Sequence, residues 1–339
     1  MTARVLVLTL GGTIASLPSE SGAGGGAIPT LTGDDLLAMA PGLGQVAEVT
    51  ARTLMQVPSC DIRPQDVRAV AETIAVAVGT GGTGDAEGAE GGEPPADGIV
   101  VVQGTDTLEE TAYLLDLLLD IEQPVVVTGA MRTPSTPGAD GPANLIAAVQ
   151  VAADPATRGL GALVVLSDEI HAAAHVAKTH SSATDAFTSP GFGPIGRVVE
   201  GRVHIYARPV RQHEHVDVPP DATWPYVPIL RVAQGTRPVE VDALAAIADA
   251  LIVEATGGGH VPADLVPVLE AVAHRIPVVL TSRTGAGGTL ESTYGYPGSE
   301  MDLLGRGVVS SGPLDAVKAR LWLGARLAAG LPVASSPAG

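Results

Sequence analysis

The sequence contains one cysteine and very few aromatic residues. Cys60 is the only cysteine in 339 residues, so the chain can form no internal disulfide and lacks the thiolates of a zinc–cysteine cluster. Aromatic residues make up 3% of the chain and hydrophobic residues 45%, so the core must be built mainly from aliphatic side chains. Such a core is typical of layered α/β folds, in which buried strands are continuous aliphatic runs.

Basic residues are also scarce. The chain has 19 Lys and Arg against 37 Asp and Glu, a formal net charge of −18. This balance argues against a nucleic-acid partner or an anionic membrane surface, because both require clusters of positive charge. No apolar run reaches the roughly 18–20 residues of a membrane span, and the short apolar run near the start lacks a typical signal-cleavage region. We therefore expect a soluble, cytoplasmic protein.

Short aliphatic runs alternate with helix-like segments along the chain. The runs lie at Val5–Leu10, Ile99–Gln103, Pro124–Thr128, Leu163–Ser167, Leu251–Glu254 and Pro277–Thr281. This alternation predicts an α/β fold with largely parallel sheets, and the length allows two domains. We predict a larger N-terminal domain at residues 1–210, a polar linker at 211–226, and a smaller C-terminal domain at 227–339.

The clearest predicted helix covers Leu108–Ile121. Several leucines give it an apolar face. Thr107 and Glu110 have the spacing of a capping box, and Asp106 and Glu109 offer the same spacing one residue earlier. A second helix is predicted at Leu314–Ala329. The stretch Gly79–Gly98 is rich in glycine, acidic residues and proline, which predicts a surface loop.

Three of the predicted strands are followed by chemically active side chains. Thr13 follows a Gly-Gly pair, Thr105 and Asp106 lie between a strand and a helix, and Lys178 lies after the fourth strand. Ligands tend to bind at the carboxyl edge of parallel sheets, where a lysine near a hydroxyl would favour its deprotonation. Each signal is ambiguous alone, because glycine pairs mark turns, Thr and Asp cap helices, and lysine is usually a solvated charge.

Five segments taken together are more informative than each loop alone. They are Leu10-Gly-Gly-Thr-Ile-Ala15, Gly104-Thr-Asp-Thr-Leu-Glu-Glu-Thr-Ala-Tyr113, Val127-Thr-Gly-Ala-Met-Arg132, Ala139-Asp-Gly-Pro-Ala-Asn-Leu145 and Lys178-Thr179. In this order and spacing they resemble the bacterial-type L-asparaginase family. The second segment is specific, whereas Gly-Gly-Thr alone is not. The resemblance covers essentially the whole chain and implies two α/β domains and hydrolysis of L-asparagine to L-aspartate and ammonia.

The resemblance implies a catalytic role for four residues. Thr13 is similar to the family's nucleophile, which accepts the acyl group. Thr105, Lys178 and Asp106 are similar to its second cluster, in which the lysine polarises the threonine hydroxyl. The family needs no metal and no cofactor for this chemistry.

The resemblance also implies a set of substrate-binding residues. They are Gly12, Ser59, Cys60, Thr105, Asp106, Ala130 and Glu300. Ser59 matches a residue that holds the α-carboxylate, and Asp106 matches the carboxylate that pairs with the α-ammonium. Glu300 matches an acidic residue that reaches the ammonium from a neighbouring subunit, and Ala130 contacts the side-chain amide through its backbone. The implied assembly is a homotetramer or dimer with shared active sites.

Three positions depart from the family's pattern. The loop Pro18–Pro29 has no tyrosine, which family members often use to activate the nucleophile; its glycines suit a mobile lid, and Glu20 is an alternative base. Cys60 stands where the family usually has glutamine, and a free cysteine is commonly a small buried filler. Gly257–His260 stands where many members have an asparagine, and His260 either contacts the pocket or lies at the surface.

These departures leave alternatives open. One is a broader asparaginase–glutaminase. Another is a catalytically weak amino-acid-binding or regulatory protein. A zinc site at His171 and His175, which have i, i+4 spacing, is disfavoured, because the sequence is not HExxH and offers no clear third ligand.

Overall fold

A computed structural model describes residues 2–18, 26–80, 94–210 and 215–333 of the chain. The chain divides into two compact units, Met1–Val210 and Arg211–Gly339. Within the described residues, no helix has the length and apolar character that crossing a bilayer requires.

The first unit contains strands β1 to β12 and helices α1 to α5. The strands are β1 Arg4–Gly11, β2 Ser16–Pro18, β3 Ala27–Pro29, β4 Glu48–Val57, β5 Gly98–Val102, β6 Val125–Thr128, β7 Ala162–Leu166, β8 Glu169–Ala172, β9 Ala177–Lys178, β10 Phe187–Thr188, β11 Gly196–Val199 and β12 Arg202–Ile205. The helices are α1 Gly33–Ala38, α2 Leu43–Val46, α3 Pro64–Ala77, α4 Leu108–Leu118 and α5 Gly141–Ala153.

The second unit contains strands β13 to β16 and helices α6 to α9. The strands are β13 Ile229–Arg231, β14 Leu251–Ala255, β15 Val278–Ser282 and β16 Val309–Ser310. The helices are α6 Pro238–Ala245, α7 Val266–Ala273, α8 Glu300–Leu304 and α9 Ala316–Ala328.

The predicted α/β fold with largely parallel sheets is confirmed. The main sheet of the first unit has eight strands in the order β4-β1-β5-β6-β7-β8-β11-β12. Its pairs from β4 to β7 are parallel, and the pairs beyond β7 are antiparallel. The sheet of the second unit is parallel, in the order β13-β14-β15-β16. The antiparallel end of the main sheet was not predicted, because its strands are short and have no long aliphatic run.

Each unit has an aliphatic core. In the first unit, valines and leucines of the parallel strands pack with alanines of α5. In the second unit, β14 and β15 pack with residues of α6 and α7. Among the described residues, the buried hydrophobic side chains are mostly aliphatic, and the buried aromatic ones are Tyr113, Phe187 and Trp322.

The order of strands creates an opening at one edge of the main sheet. β1 is paired with β4 on one side and β5 on the other. Along the chain, the main-sheet strand that follows β1 is β4, which lies on the side of β1 away from β5. The strand that follows β5 is β6, which lies on the side of β5 away from β1. Connections that diverge from neighbouring parallel strands leave a crevice at their carboxyl ends, where ligands bind in many α/β proteins.

The predicted capping box at the start of α4 is wrong. Thr107 occupies the N-cap position, but its side chain makes no capping hydrogen bond. Its hydroxyl instead donates to the carbonyl oxygen of Ser59 at 2.7 Å. A contact with a distant segment therefore replaces the local one.

The predicted helix ends also differ from the structure. Helix α4 ends at Leu118 instead of Ile121, because Leu119 has extended backbone angles. Helix α9 begins at Ala316 instead of Leu314, because the carboxylate of Asp315 accepts the N–H of Lys318 as an N-cap.

The two predicted irregular segments are described in part. Of the loop at 79–98, residues 81–93 lie outside the described residues, and Gly98 begins β5. Of the linker at 211–226, residues 215–226 are described and make contacts in the second unit. There, the N–H of Tyr226 donates to Asp249 at 2.7 Å, and the ring of Trp224 lies against Gly324.

Gly12 lies where the loops after β1 and β5 touch. Its φ is +85°, which glycine adopts without strain. A Cβ atom on Gly12 would lie 2.0 Å from the backbone nitrogen of Gly104. The two loops can approach this closely only because position 12 has no side chain.

We predict that Gly12→Ala lowers the stability of the protein. The methyl group would clash with backbone atoms that cannot rotate away, and the positive φ adds about 1 kcal/mol of strain. The midpoint of urea unfolding should fall clearly below that of Gly44→Ala, a matched control in α2 with open space around its Cα. Equal midpoints for the two variants would refute the close-approach argument.

His171 is fully buried in β8 and is not on a helix. Its Nδ1 atom lies 2.9 Å from the Ser189 hydroxyl, and its Nε2 atom lies 3.4 Å from the Glu169 carboxylate, which also pairs with Arg197 at 2.7 Å. His175 instead stacks on the ring of Phe192. Within the described part of the chain, no group of three or more acidic, His or Cys residues is placed to hold a metal.

We predict that His171 makes stability fall at acidic pH. Burial lowers the pKa of His171, an effect that Glu169 offsets only in part. As the pH drops below about 6.5, the unfolded chain takes up a proton that the folded protein still excludes, so unfolding becomes more favourable. The Tm of His171→Gln should therefore fall less between pH 7 and pH 5 than that of the wild type.

The control for this experiment is His274→Gln, whose side chain is exposed at the end of α7. Its Tm should follow the wild-type pH dependence. The same pH dependence in all three proteins would contradict the role assigned to His171.

Candidate active site

Two threonines lie at the crevice between the carboxyl ends of β1 and β5. Thr13 begins a short 3-10 turn that is separated from β1 by one residue, and Thr105 begins another that is separated from β5 by two. The contact between Gly12 and Gly104 brings these two turns together. Thr13 is half-buried and Thr105 is buried, so neither residue lies on the open surface.

Lys178 connects Thr105 with Asp106. Its ammonium nitrogen lies 2.9 Å from the Thr105 hydroxyl and 2.6 Å from a carboxylate oxygen of Asp106. The lysine side chain is largely buried, whereas the Asp106 side chain is 70% exposed. The ammonium therefore donates to the Thr105 oxygen, an arrangement that stabilises negative charge there. The second oxygen of Asp106 remains accessible to a cation.

Ser59 joins the crevice from the turn after β4. Its hydroxyl oxygen accepts the N–H of Asp106 at 3.1 Å, and its carbonyl oxygen accepts the hydroxyl of Thr107. The Ser59 hydroxyl can still donate its own hydrogen, which suits a carboxylate ligand. Cys60 follows Ser59 and is exposed, so the expectation that it is a buried filler was wrong.

Ala130 lies in the loop after β6 and is fully buried. The carboxylate of Asp140 accepts the N–H groups of Met131 and Arg132, each at 2.9 Å. The side-chain amide of Asn144 donates to the carbonyl oxygen of Gly129 at 3.0 Å. These bonds fix both neighbours of Ala130 and thereby the backbone at Ala130 itself.

The backbone around Thr13 is held by its neighbours. The carbonyl oxygen of Gly12 accepts the Ser16 hydroxyl at 2.7 Å and the N–H of Ala15 at 3.0 Å. Strands β2 and β3 then form an antiparallel pair. Residues 19–25 between these strands, including Glu20, lie outside the described residues, so the lid and the alternative base at Glu20 stay predictions.

Glu300 lies in the second unit and is fully buried. One carboxylate oxygen accepts the N–H groups of Thr293 and Tyr294 at 2.8 and 2.7 Å, and the other lies 3.0 Å from Nε2 of His260. Burial raises the pKa of Glu300, but these bonds and a bond from its own N–H outweigh burial, so its pKa lies below the ordinary value. Binding an ammonium would require Glu300 to give up one of these partners.

The partner of His260 could not be predicted from the sequence. Besides its bond to Glu300, its ring contacts the rings of Tyr294 and Tyr296 in edge-on geometry. His260 and Glu300 are 40 residues apart, and no local pattern links them.

A contact of Glu109 was also not predicted from the sequence. Its carboxylate accepts the backbone N–H of Lys178 at 2.6 Å. Glu109 and Lys178 border an open cavity of about 400 Å³, together with Asp106 and three residues after Lys178.

Two family models match the sequence of this chain. The model of the asparaginase N-terminal domain matches residues 4–211, and the model of the glutaminase/asparaginase C-terminal domain matches residues 226–335. Together the two matches cover nearly the whole chain.

Individual relatives have similar lengths. A probable L-asparaginase of Deinococcus radiodurans is 38% identical, with 94% of this chain and 91% of the relative covered. An L-asparaginase of Bacillus licheniformis is 33% identical, with 97% and 96% covered. The crystal structure of a probable cytoplasmic L-asparaginase from Campylobacter jejuni superimposes with a TM-score of 0.82, at 30% identity and with 96% and 95% covered. The chain therefore belongs to the asparaginase family of amidohydrolases.

Proposed function

We propose that the protein is an L-asparaginase that hydrolyses L-asparagine to L-aspartate and ammonia through an acyl-threonine intermediate. The observation that carries this proposal is the bonding of Lys178 to both Thr105 and Asp106, beside the turn that holds Thr13. A site that only binds an amino acid has no need of a lysine-backed hydroxyl, so this arrangement favours catalysis over binding alone.

Substrate binding needs an anchor for each end of the zwitterion. The Ser59 hydroxyl suits the α-carboxylate, because its oxygen already accepts from Asp106 and its hydrogen is left to donate. The accessible oxygen of Asp106 suits the α-ammonium. With both ends anchored, the side-chain amide lies between the two threonines, where Ala130 offers backbone contacts.

The reaction then proceeds in two steps. In the first, the Thr13 oxygen attacks the amide carbon, the C–N bond breaks, and ammonia leaves with the proton that Thr13 has lost. In the second, water attacks the ester, the bond to Thr13 breaks, and aspartate leaves as the hydroxyl regains a proton. The cluster of Thr105 and Lys178 stabilises charge and transfers protons during these steps. No cofactor and no metal take part.

The comparisons also favour a second, broader activity. A glutaminase-asparaginase of Pseudomonas fluorescens is 33% identical, with 88% of this chain and 81% of the relative covered. Glutamine is longer than asparagine by one methylene, which is worth only about 1–3 kcal/mol of discrimination. We therefore propose asparagine as the main substrate and glutamine as a minor one.

We predict that Thr13→Ala and Thr105→Ala each lower the rate of ammonia release from asparagine by about a thousandfold or more. The first removes the nucleophile and the second removes the lysine-backed hydroxyl. Purified variants should be assayed with asparagine and with glutamine. Thr73→Ala, which changes a half-buried threonine of α3, is the matched control and should retain wild-type activity.

Undiminished turnover in either variant would contradict the role of that threonine. Binding of asparagine by the wild type without ammonia release, measured by calorimetry, would favour the catalytically weak binding protein instead.

We also propose a homotetramer or dimer with shared active sites. Four large apolar side chains that are close together in the sequence of the second unit are each 40–48% exposed. They are Leu290, Tyr294, Tyr296 and Met301. Exposed apolar side chains in such a group are typical of a surface that another protein chain covers, which supports an assembly. We predict that light scattering of the active enzyme gives a mass of at least two chains; a monomer with full activity would contradict shared sites.

We propose a cytoplasmic location for the protein. The similarity to the C. jejuni protein described as cytoplasmic supports it. Fractionation of cells that express the full chain would test this location.

A further inference from the structure

Lys178 is attached to the segment 105–109 at two points. Its side chain reaches Thr105 and Asp106, and its backbone N–H donates to the carboxylate of Glu109 at 2.6 Å. The two attachments serve different ends. The side-chain bonds bring the ammonium of Lys178 to Thr105 and Asp106, whereas the backbone bond fixes the main chain from which that side chain extends.

The strand that carries Lys178 is weakly supported by sheet structure. β9 has two residues and pairs with β10, which also has two, in a sheet separate from the main one. A two-stranded ribbon of this length has little stability of its own. Backbone bonds hold the residues around Lys178, from Thr179 to Ala186 and from Val176 to Ala172 at the end of β8. No strand of the main sheet pairs with Lys178 itself among the described residues, so a side-chain contact at this residue adds to its fixation.

Glu109 is well placed to supply such a contact. It lies in the first turn of α4, which starts directly after the turn that holds Thr105. Most residues of α4 are buried, so this helix is a firm support. A bond from an N–H to a carboxylate is about twice as strong as one between neutral groups.

A capping box one residue earlier than that of Thr107 and Glu110 would pair Asp106 with Glu109. A Glu at this position could reach back to the N–H of Asp106. In the structure, that N–H donates to the hydroxyl of Ser59 at 3.1 Å. The carboxylate of Glu109 is instead directed to the backbone of Lys178.

We propose that Glu109 is a positioning residue of the amidohydrolase reaction. Its carboxylate fixes the main chain of Lys178, so that the ammonium meets the hydroxyl of Thr105 at 2.9 Å. A misplacement of about 1 Å at a catalytic group can cost on the order of a hundredfold in rate. The inference rests on the catalytic roles proposed for Thr105 and Lys178.

The test is a double-mutant cycle with Glu109→Ala and Lys178→Met. We expect Glu109→Ala to lower kcat for asparagine at least about tenfold with less than a threefold change in KM, because it disturbs Lys178 and not the substrate anchors. In the Lys178→Met background, the same change should lower kcat by less than about twofold, since no lysine remains to be positioned.

Two further variants separate positioning from a loss of folding. Glu109→Gln keeps a carbonyl oxygen as acceptor and should restore kcat to within about threefold of the wild type. Glu72→Ala removes an exposed glutamate of α3 and should leave kcat unchanged. Losses that are additive in the cycle, or a Glu109→Ala variant with wild-type kcat, would overturn the inference.

A measurement that does not depend on activity completes the test. In a crystal structure of Glu109→Ala, we expect the ammonium of Lys178 to lie farther from the Thr105 hydroxyl than in a wild-type crystal. An unchanged separation would overturn the inference even if the wild type released no ammonia. Absence of turnover by the wild type would count against the proposed function and not against the positioning by Glu109.

Discussion

The contact between the backbones of Gly12 and Gly104 is the constraint on which the site depends. Neighbouring parallel strands bring their carboxyl ends together, but side chains normally keep the following loops apart. Here the loops touch, because Gly12 has no Cβ atom and adopts a positive φ. The two threonine turns thus share one crevice, and the rest of the site is arranged around them.

Polar side chains from distant segments then fix these loops. Ser59 accepts from the segment after β5, and Asp140 and Asn144 hold the loop after β6. Each of these side chains satisfies backbone groups that the end of a strand leaves without ladder partners. Loops that carry no regular structure are therefore held firmly enough to position reactive groups, and the sheet supplies the framework to which they are attached.

Much of this arrangement could be predicted from the sequence, and the limits have physical causes. Aliphatic runs identify buried parallel strands, because both faces of such strands are covered. Thr13 and Thr105 were identified by family motifs. The bond of Ser59 to Asp106 spans 47 residues, and that of His260 to Glu300 spans 40. Such pairs follow no local periodicity. At the start of α4, another bond between distant segments, from Thr107 to Ser59, replaces the predicted cap.

The exposed thiol of Cys60 has a practical consequence. It is the only thiol in the sequence, and it directly follows Ser59, whose hydroxyl is bonded to the turn after β5. A thiol-reactive fluorophore or spin label would therefore attach to the native chain at a single place, beside the crevice. No cysteine has to be removed or introduced first. A label at Cys60 would therefore report on ligand binding near the two threonines in the unaltered sequence.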